Sequence, residues 1–393
     1  MKRTGLIVWV LLGLVLLLPP MTWGQTSFKV GFLTSLTGDT AFAGIQMRQG
    51  AEIAAEEINE AGGINGSRVQ LIIENDDSQA SKAASAVYKL VYQDKVMVVI
   101  GATASSPSYA AQKITEESKV VQIAPSGSSP SLTTEGKNWF FRASLSSLYQ
   151  MTDMTKYHFD KLGIKKFAVI AEQDAMAKGA EERLIAELQK LRLTPVAREK
   201  FQPTDMDFTA QLIRIKSTDP EALALFGQAP KCAQVAQQAR NLGIKAKFFG
   251  GTTLGTREFI ELGGQAVDKM IISFAFNEDS PDPMIQDFKK KMLKKFNESM
   301  VHFTAPQAYD TLYMLKTYLK DYKLSMNYND ANSLTEDRRK IWEAMTKVKN
   351  YKGVGATYSF GARPTAEDRD GIQQTLLFQV QNGKFVQIWP AVK

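Results

Sequence analysis

Two serine-rich stretches carry the residues best suited to chemistry. Gly101–Ser108 reads GATASSPS and Ile123–Pro130 reads IAPSGSSP. Each comes at the end of a compact β-branched run, Val96–Ile100 and Val120–Ala124, and the first leads straight into helix-patterned Ser106–Ser118. Ser105 or Ser106 stands where a helix N-cap belongs, and Pro107 suits the first turn. A helix start presents unpaired backbone N–H groups and the positive end of the dipole, which suit a carboxylate. The plainer reading is a serine that only caps its own helix, followed by a Ser/Gly/Pro loop that is only a turn. In an open α/β sheet, however, ligands bind at the carboxyl ends of strands, where both stretches fall.

Catalytic readings have less to stand on. The two histidines, His158 and His302, lie in helix-like contexts, with no cysteine or histidine at metal spacing. Each reads as a surface or packed side chain. No Gly-x-Ser-x-Gly elbow, HExxH or phosphate-binding Gly-x-x-x-x-Gly-Lys-Ser/Thr loop is present. Ser105 and Ser128 have no recognisable general base, so nucleophilic catalysis is not expected, and neither a metal nor a cofactor is called for.

The elements that must position these serines alternate along the chain. Phe28–Leu33 reads as a strand, and a helical stretch follows with apolar or small residues at Ile45, Ala51, Ile53, Ala54 and Ile58. Gly62-Gly63 stops it, and Val69–Ile73 is the next strand, which completes a βαβ unit. Phe167–Ala171, Ala222–Phe226, Lys247–Gly250 and Met270–Phe274 continue the pattern. Strands alternating with helices predict an α/β fold with parallel sheets covered on both faces, a doubly wound architecture.

The wording of the first unit, VGFLTSLTGD…GAEIAAEEINEAGGINGSRVQLIIENDD, resembles the periplasmic leucine/isoleucine/valine-binding protein family. These are type I solute-binding proteins of ABC importers, and the resemblance runs from about Phe28 to the C-terminus. It implies the periplasmic binding protein type I fold: two doubly wound α/β lobes joined by three hinge crossings. Two crossings fit the sequence near Phe141–Leu145 and Phe274–Asp282, and the family adds a third, expected near Tyr351–Tyr358. The lobes are then 28–142 with 277–350, and 143–276 with 351–393.

The same resemblance assigns roles residue by residue. Ser105, with the Ser106 backbone, matches the family's carboxylate-binding junction. Ser126 and Ser128 match a loop that supplies a backbone carbonyl and a hydroxyl, serine standing for the usual threonine. Phe42, one place earlier than the family's aromatic, covers the ligand or joins the lobe core. In the second lobe Met176 stands where a tyrosine is usual, and Phe226 adds apolar enclosure. Thr252 matches the family's glutamate that faces the ligand's ammonium group, which leaves Glu172, Asp174 or Glu258 to supply that charge from nearby. A small hydrophobic amino acid and an aromatic or aliphatic carboxylate without an amino group therefore both stay open as ligands, as does a sensor role. Asp76-Asp77 resembles a carboxylate pair but is structural in the family.

Met1–Gln25 reads MKRTGLIVWVLLGLVLLLPPMTWGQ: a basic start, an apolar run over Leu6–Leu18, two prolines, then small residues before Gln25. That is a cleaved signal peptide, 1–24, and export to the periplasm is expected. The run is shorter than the roughly 20 residues a spanning helix requires. The net charge is +7, and losing Lys2 and Arg3 with the signal lowers it by two, to +5. The basic residues are dispersed; the densest group, KKKMLKK at 289–295, reads as a solvated helix face, so no nucleic-acid partner is expected. Cys232 is the single cysteine, which excludes an intrachain disulfide. The expected partners are a small carboxylate or amino acid and an inner-membrane ABC permease, with the protein itself a monomer.

Overall fold

The computed structural model describes residues 27–134 and 137–390, so the predicted signal segment lies outside the described residues. Five strands come first: β1 (Phe28–Thr34), β2 (Val69–Asn75), β3 (Val98–Ile100), β4 (Val121–Ala124) and β5 (Phe140–Leu145). Five more follow: β6 (Phe167–Glu172), β7 (Ala197–Phe201), β8 (Ala222–Phe226), β9 (Lys247–Gly250) and β10 (Ile271–Phe274). A short pair, β11 (Tyr351–Lys352) and β12 (Thr357–Tyr358), precedes β13 (Asp370–Ile372), β14 (Leu376–Gln381) and β15 (Lys384–Trp389).

These strands form two large sheets, one per α/β lobe. The first has six strands in the order β13-β5-β4-β3-β1-β2, all parallel. The second has seven, β15-β14-β10-β9-β8-β6-β7, parallel from β7 to β10 and antiparallel at β14 and β15. Strand order reverses between β1 and β3 in one sheet and between β6 and β8 in the other, where crevices open at the carboxyl ends. Helices on both sheet faces explain the continuous apolar runs: β3, β4 and β8 are buried along their whole length. The helix Ala41–Glu60 ends before Gly62 and Gly63, both at positive φ, as the glycine pair predicts. The lysine-rich helix Pro283–Phe296 turns its cations to solvent-side partners, Lys291 to Glu57 and Lys289 to Glu278.

The third crossing is not where the sequence reading puts it. Tyr358 and Phe360 belong to the first lobe's core, where Tyr358 donates to Asp310 at 2.8 Å and Phe360 meets Phe141 edge-on. β13 then pairs with β5, so the chain enters the second sheet only between Ile372 and Leu376. The strands at 351–372 are two or three residues long, too short to show a period in sequence. Elsewhere the chain leaves the first sheet after Leu145, and Phe276, just past β10, is already buried in the first core. Among the described residues no helix is long and apolar enough to cross a membrane.

Candidate functional site

The carboxyl ends of both sheets face each other, and the loops leaving them enclose two adjoining small chambers. The first is lined by Ser105, Ser126 and Ser128 from one lobe and by Met176, Gln228 and Thr252 from the other. The second holds Phe42 and Asp39 on one side and Glu258 and Thr256 on the other, with His302 and Phe303. The chambers share Thr103, Ser126, Gln228, Thr253 and Phe303. They measure about 30 and 40 Å³. A single water occupies roughly 10–15 Å³ on this scale, so the closed cleft suits a small solute. A larger pocket of about 360 Å³, walled by Phe274, Phe276, Phe378 and Phe385, meets the second chamber at His302 and Phe303 and contains none of the expected site residues.

On the first lobe, the helix Ser105–Glu117 starts with Ala104 at its N-cap and no side-chain cap. Ser105 is thus the first helical residue rather than the cap, because its hydroxyl is turned to the neighbouring loop and accepts the Ser129 N–H at 3.1 Å. The hydroxyls of Ser126 and Ser128 have no protein partner among the described residues, and both residues are nearly buried. What fixes their loop is Arg142, a residue the sequence reading passed over. Its Nη1 donates to the carbonyls of Gly127 (3.2 Å) and Ser129 (2.8 Å), Nη2 to Thr133 Oγ1 (2.6 Å), and Nε to Asp370 of β13 (2.8 Å). Arg142 and Asp370 are both wholly buried, and burial pushes the Asp370 carboxyl up. The signal available in sequence was a charged residue inside the apolar strand FFRASL.

On the second lobe, Met176 lies in the first turn of the helix Ala175–Lys190, which Asp174 caps by accepting the Ala177 N–H at 2.6 Å. Thr252 lines the first chamber, but its hydroxyl donates to the Ser273 carbonyl (3.1 Å) and its N–H to Gln150 Oε1 (3.0 Å). Gln228, given no role in the sequence reading, donates its backbone N–H to Glu172 Oε2 (2.8 Å) and its side chain to Asp174 Oδ2 (3.1 Å). Two expected residues stand apart. Phe226, the last residue of β8, is packed in the second lobe's core with Phe249 and Val169 and lines neither chamber. The Ser106 side chain lines neither chamber as well, since the helix turns it away from Ser105. Asp76 holds the first loop, accepting from Ser35 Oγ at 2.6 Å and the Ser78 N–H at 2.9 Å.

The second-lobe carboxylates are under electrostatic stress. Burial pushes Glu172 up to about 7; the Gln228 N–H opposes it, and the charges of Asp174 and then Asp39 add smaller upward pushes. Asp174 is raised by burial, and Glu258 by burial and then by Asp39 and Glu261. For Glu172 the folded value lies above the unfolded one near 4.5. The folded chain therefore keeps a proton that the unfolded chain loses as pH rises from about 4.5 to 7, and stability falls across that window. Glu172→Gln removes the penalty while keeping an acceptor for the Gln228 N–H. Ligand-free Glu172→Gln should be more stable than wild type at pH 8, by about 1–3 kcal/mol, and equal to it near pH 4. Urea unfolding at the two pH values measures this, and equal wild-type and variant stabilities at pH 8 would refute it.

Two α/β lobes whose sheet ends converge on a small, hydroxyl-lined cleft define a solute-binding protein of the two-lobed kind. The chain belongs to the periplasmic binding protein family, whose model matches residues 27–384. A Leu/Ile/Val-binding protein homologue of Brucella suis is 27% identical over 358 residues, covering 91% of this chain and 92% of that protein. The branched-chain amino acid transporter substrate-binding protein of Streptococcus pneumoniae, solved with isoleucine, superposes with a TM-score of 0.79 at 26% identity, covering 92% of this chain and 100% of that one. A solute-binding protein of R. palustris solved with benzoate shares the fold, with a TM-score of 0.77 at 20% identity, covering 92% and 95%.

Proposed function

We propose that this protein captures a small carboxylate-bearing solute, in the first place a hydrophobic amino acid, and delivers it to an ABC permease of the inner membrane. One observation carries the reading. The free hydroxyls of Ser126 and Ser128 and the hydroxyl proton of Ser105 converge beside a helix start without a side-chain cap, closed over by Met176, Gln228 and Thr252. A carboxylate placed there accepts charge-assisted hydrogen bonds from the hydroxyls and from the first N–H groups of the helix. The names of the relatives support an amino acid over an amine-free carboxylate.

The three crossings, after Leu145, after Phe274 and after Ile372, act as the hinge about which the lobes close. The segment 1–24 directs export and is removed, and the mature chain works in the periplasm as a monomer. No chemical step is assigned: among the described residues none of Ser105, Ser126 and Ser128 is hydrogen-bonded to a base.

Titration calorimetry with leucine, isoleucine, valine and phenylalanine identifies the ligand, and the serine variants then test the site. Losing one charge-assisted hydrogen bond in a buried site costs about 1.5–3 kcal/mol, so Ser128→Ala and Ser105→Ala should each weaken binding roughly 10- to 150-fold. Wild-type affinity in both variants would remove the carboxylate assignment.

A further inference from the structure

Gln150 is wholly buried and lines neither chamber, yet its amide joins two of the crossings to the chamber wall. It stands in the helix Ser147–Thr155, the first element after the chain leaves the first sheet. Its Nε2 reaches back to the carbonyl of Leu145, the last residue of β5, at 3.0 Å. Its Oε1 accepts the Thr252 N–H at 3.0 Å and the Ser273 hydroxyl at 2.9 Å. Ser273 stands one residue before the end of β10, where the chain leaves the second sheet. The Thr252 hydroxyl donates to the Ser273 carbonyl at 3.1 Å, which closes the group into a ring.

The partners fix which way the amide points. A backbone N–H only donates and a backbone carbonyl only accepts, so Oε1 must face Thr252 and Nε2 must face Leu145. Leu145, Gln150, Thr252 and Ser273 are all buried, so bulk water does not replace a lost partner. The turn after β9 passes close by: a Cβ at Gly251 would lie 3.1 Å from Gln150 Oε1. The same crossing also reaches the serine loop, where Ser147 donates its N–H to the Ser128 carbonyl at 2.8 Å.

We propose that Gln150 is a positioning residue for closure, clamping the first and second crossings to the Thr252 wall of the serine chamber and so setting the angle at which the lobes meet. This rests on the reading of the crossings as a hinge. The two Oε1 bonds stay inside the second lobe, whereas the Nε2 bond runs from it to the end of the first lobe's strand. A rotation about the crossings turns that strand end against the second lobe, and the Nε2 bond holds only over a narrow range of angles. Gln150 touches no ligand; it acts through Thr252 and Leu145, both of which line the first chamber.

Leucine, isoleucine, valine and phenylalanine serve as probes on the intact mature protein, well below the melting temperature of every variant. Calorimetry reads affinity, and solution scattering reads ligand-induced compaction. Gln150→Leu keeps the bulk of the side chain and removes all three bonds. Affinity should drop roughly 5- to 150-fold, and the compaction should shrink. Gly251→Ala crowds Oε1 at a backbone conformation that any residue adopts. It should act in the same direction, and it keeps the test available should Gln150→Leu fail to fold. Gln238→Leu is the control, since it removes two bonds inside the second lobe, from the Phe208 N–H and to the Met206 carbonyl. It should lower stability and leave affinity and compaction unchanged. Wild-type affinity and compaction in the Gln150 and Gly251 variants that fold, or equal losses in the Gln238 control, would overturn the assignment and leave the hinge intact. Failure of wild type to compact with any of the four probes would overturn the hinge reading itself.

Discussion

Arg142→Met is expected to destabilise the protein by about 3–5 kcal/mol, the usual cost of leaving a buried charge without its partner. The partner is Asp370, wholly buried, and no solvent reaches it to take over the role of the guanidinium. The effect extends to binding, because the same side chain fixes the carbonyls of Gly127 and Ser129 on either side of Ser128. A methionine fills the volume but holds neither carbonyl, so the hydroxyl of Ser128 loses its fixed direction. Arg142→Lys should rescue little, since one ammonium cannot reach four acceptors arranged for a planar fork. Asp370→Asn should fall between, keeping an acceptor while removing the charge. Chemical unfolding of the three variants beside wild type measures the stability, and calorimetry measures the binding. A Met variant within 1 kcal/mol of wild type would show that the buried pair contributes little beyond its packing.

Gly179→Ala separates closure from stability by moving them in opposite directions. Gly179 lies inside the helix Ala175–Lys190 of the second lobe, where alanine is ordinarily better than glycine by about 0.5–1 kcal/mol. In the closed cleft a Cβ at this position would sit 2.7 Å from Pro130 Cδ and 3.0 Å from Ser129 Oγ of the first lobe. Relieving that overlap costs about 1–3 kcal/mol, against the closed form alone. Ligand affinity should therefore drop roughly 5- to 150-fold while the melting temperature of the ligand-free protein holds or rises. Solution scattering should show a smaller ligand-induced compaction than in wild type. Unchanged affinity would mean that the lobes bind ligand without approaching this closely.

Much of the fold was legible because its strands are continuous apolar runs between helices of clear period. Phe167–Ala171, Ala222–Phe226 and Lys247–Gly250 fall on β6, β8 and β9 with little or no displacement. The third crossing was missed because β11 to β13 are too short for a period and acquire their place only through distant partners, Asp310 and β5. At the site, the serines could be found because strand ends and helix starts announce themselves locally. Their supports could not. Arg142 acts through a residue 228 positions away, and His302 faces Phe42 from 260 positions downstream, separations that no local pattern encodes. Phe226 illustrates the reverse error: a strand-end aromatic near a cleft was read as enclosure, but the pleat directs it into the sheet–helix core.

The pairing of β13 with β5 also sets the order in which the molecule can be finished. A chain emerging from its N-terminus has β1 to β5 available early, yet the sheet they form lacks its sixth strand until residue 372 arrives. Until then Arg142 has no counter-ion, and the serine loop it steers has no fixed shape. Contacts spanning more than two hundred residues carry a large loop-closure entropy and slow the final assembly. Strands β6 to β10 of the second lobe are synthesised within that interval. The first lobe's sheet is thus completed only after most of the second lobe has been made, and the serine loop is among the last parts of the molecule to take its final shape.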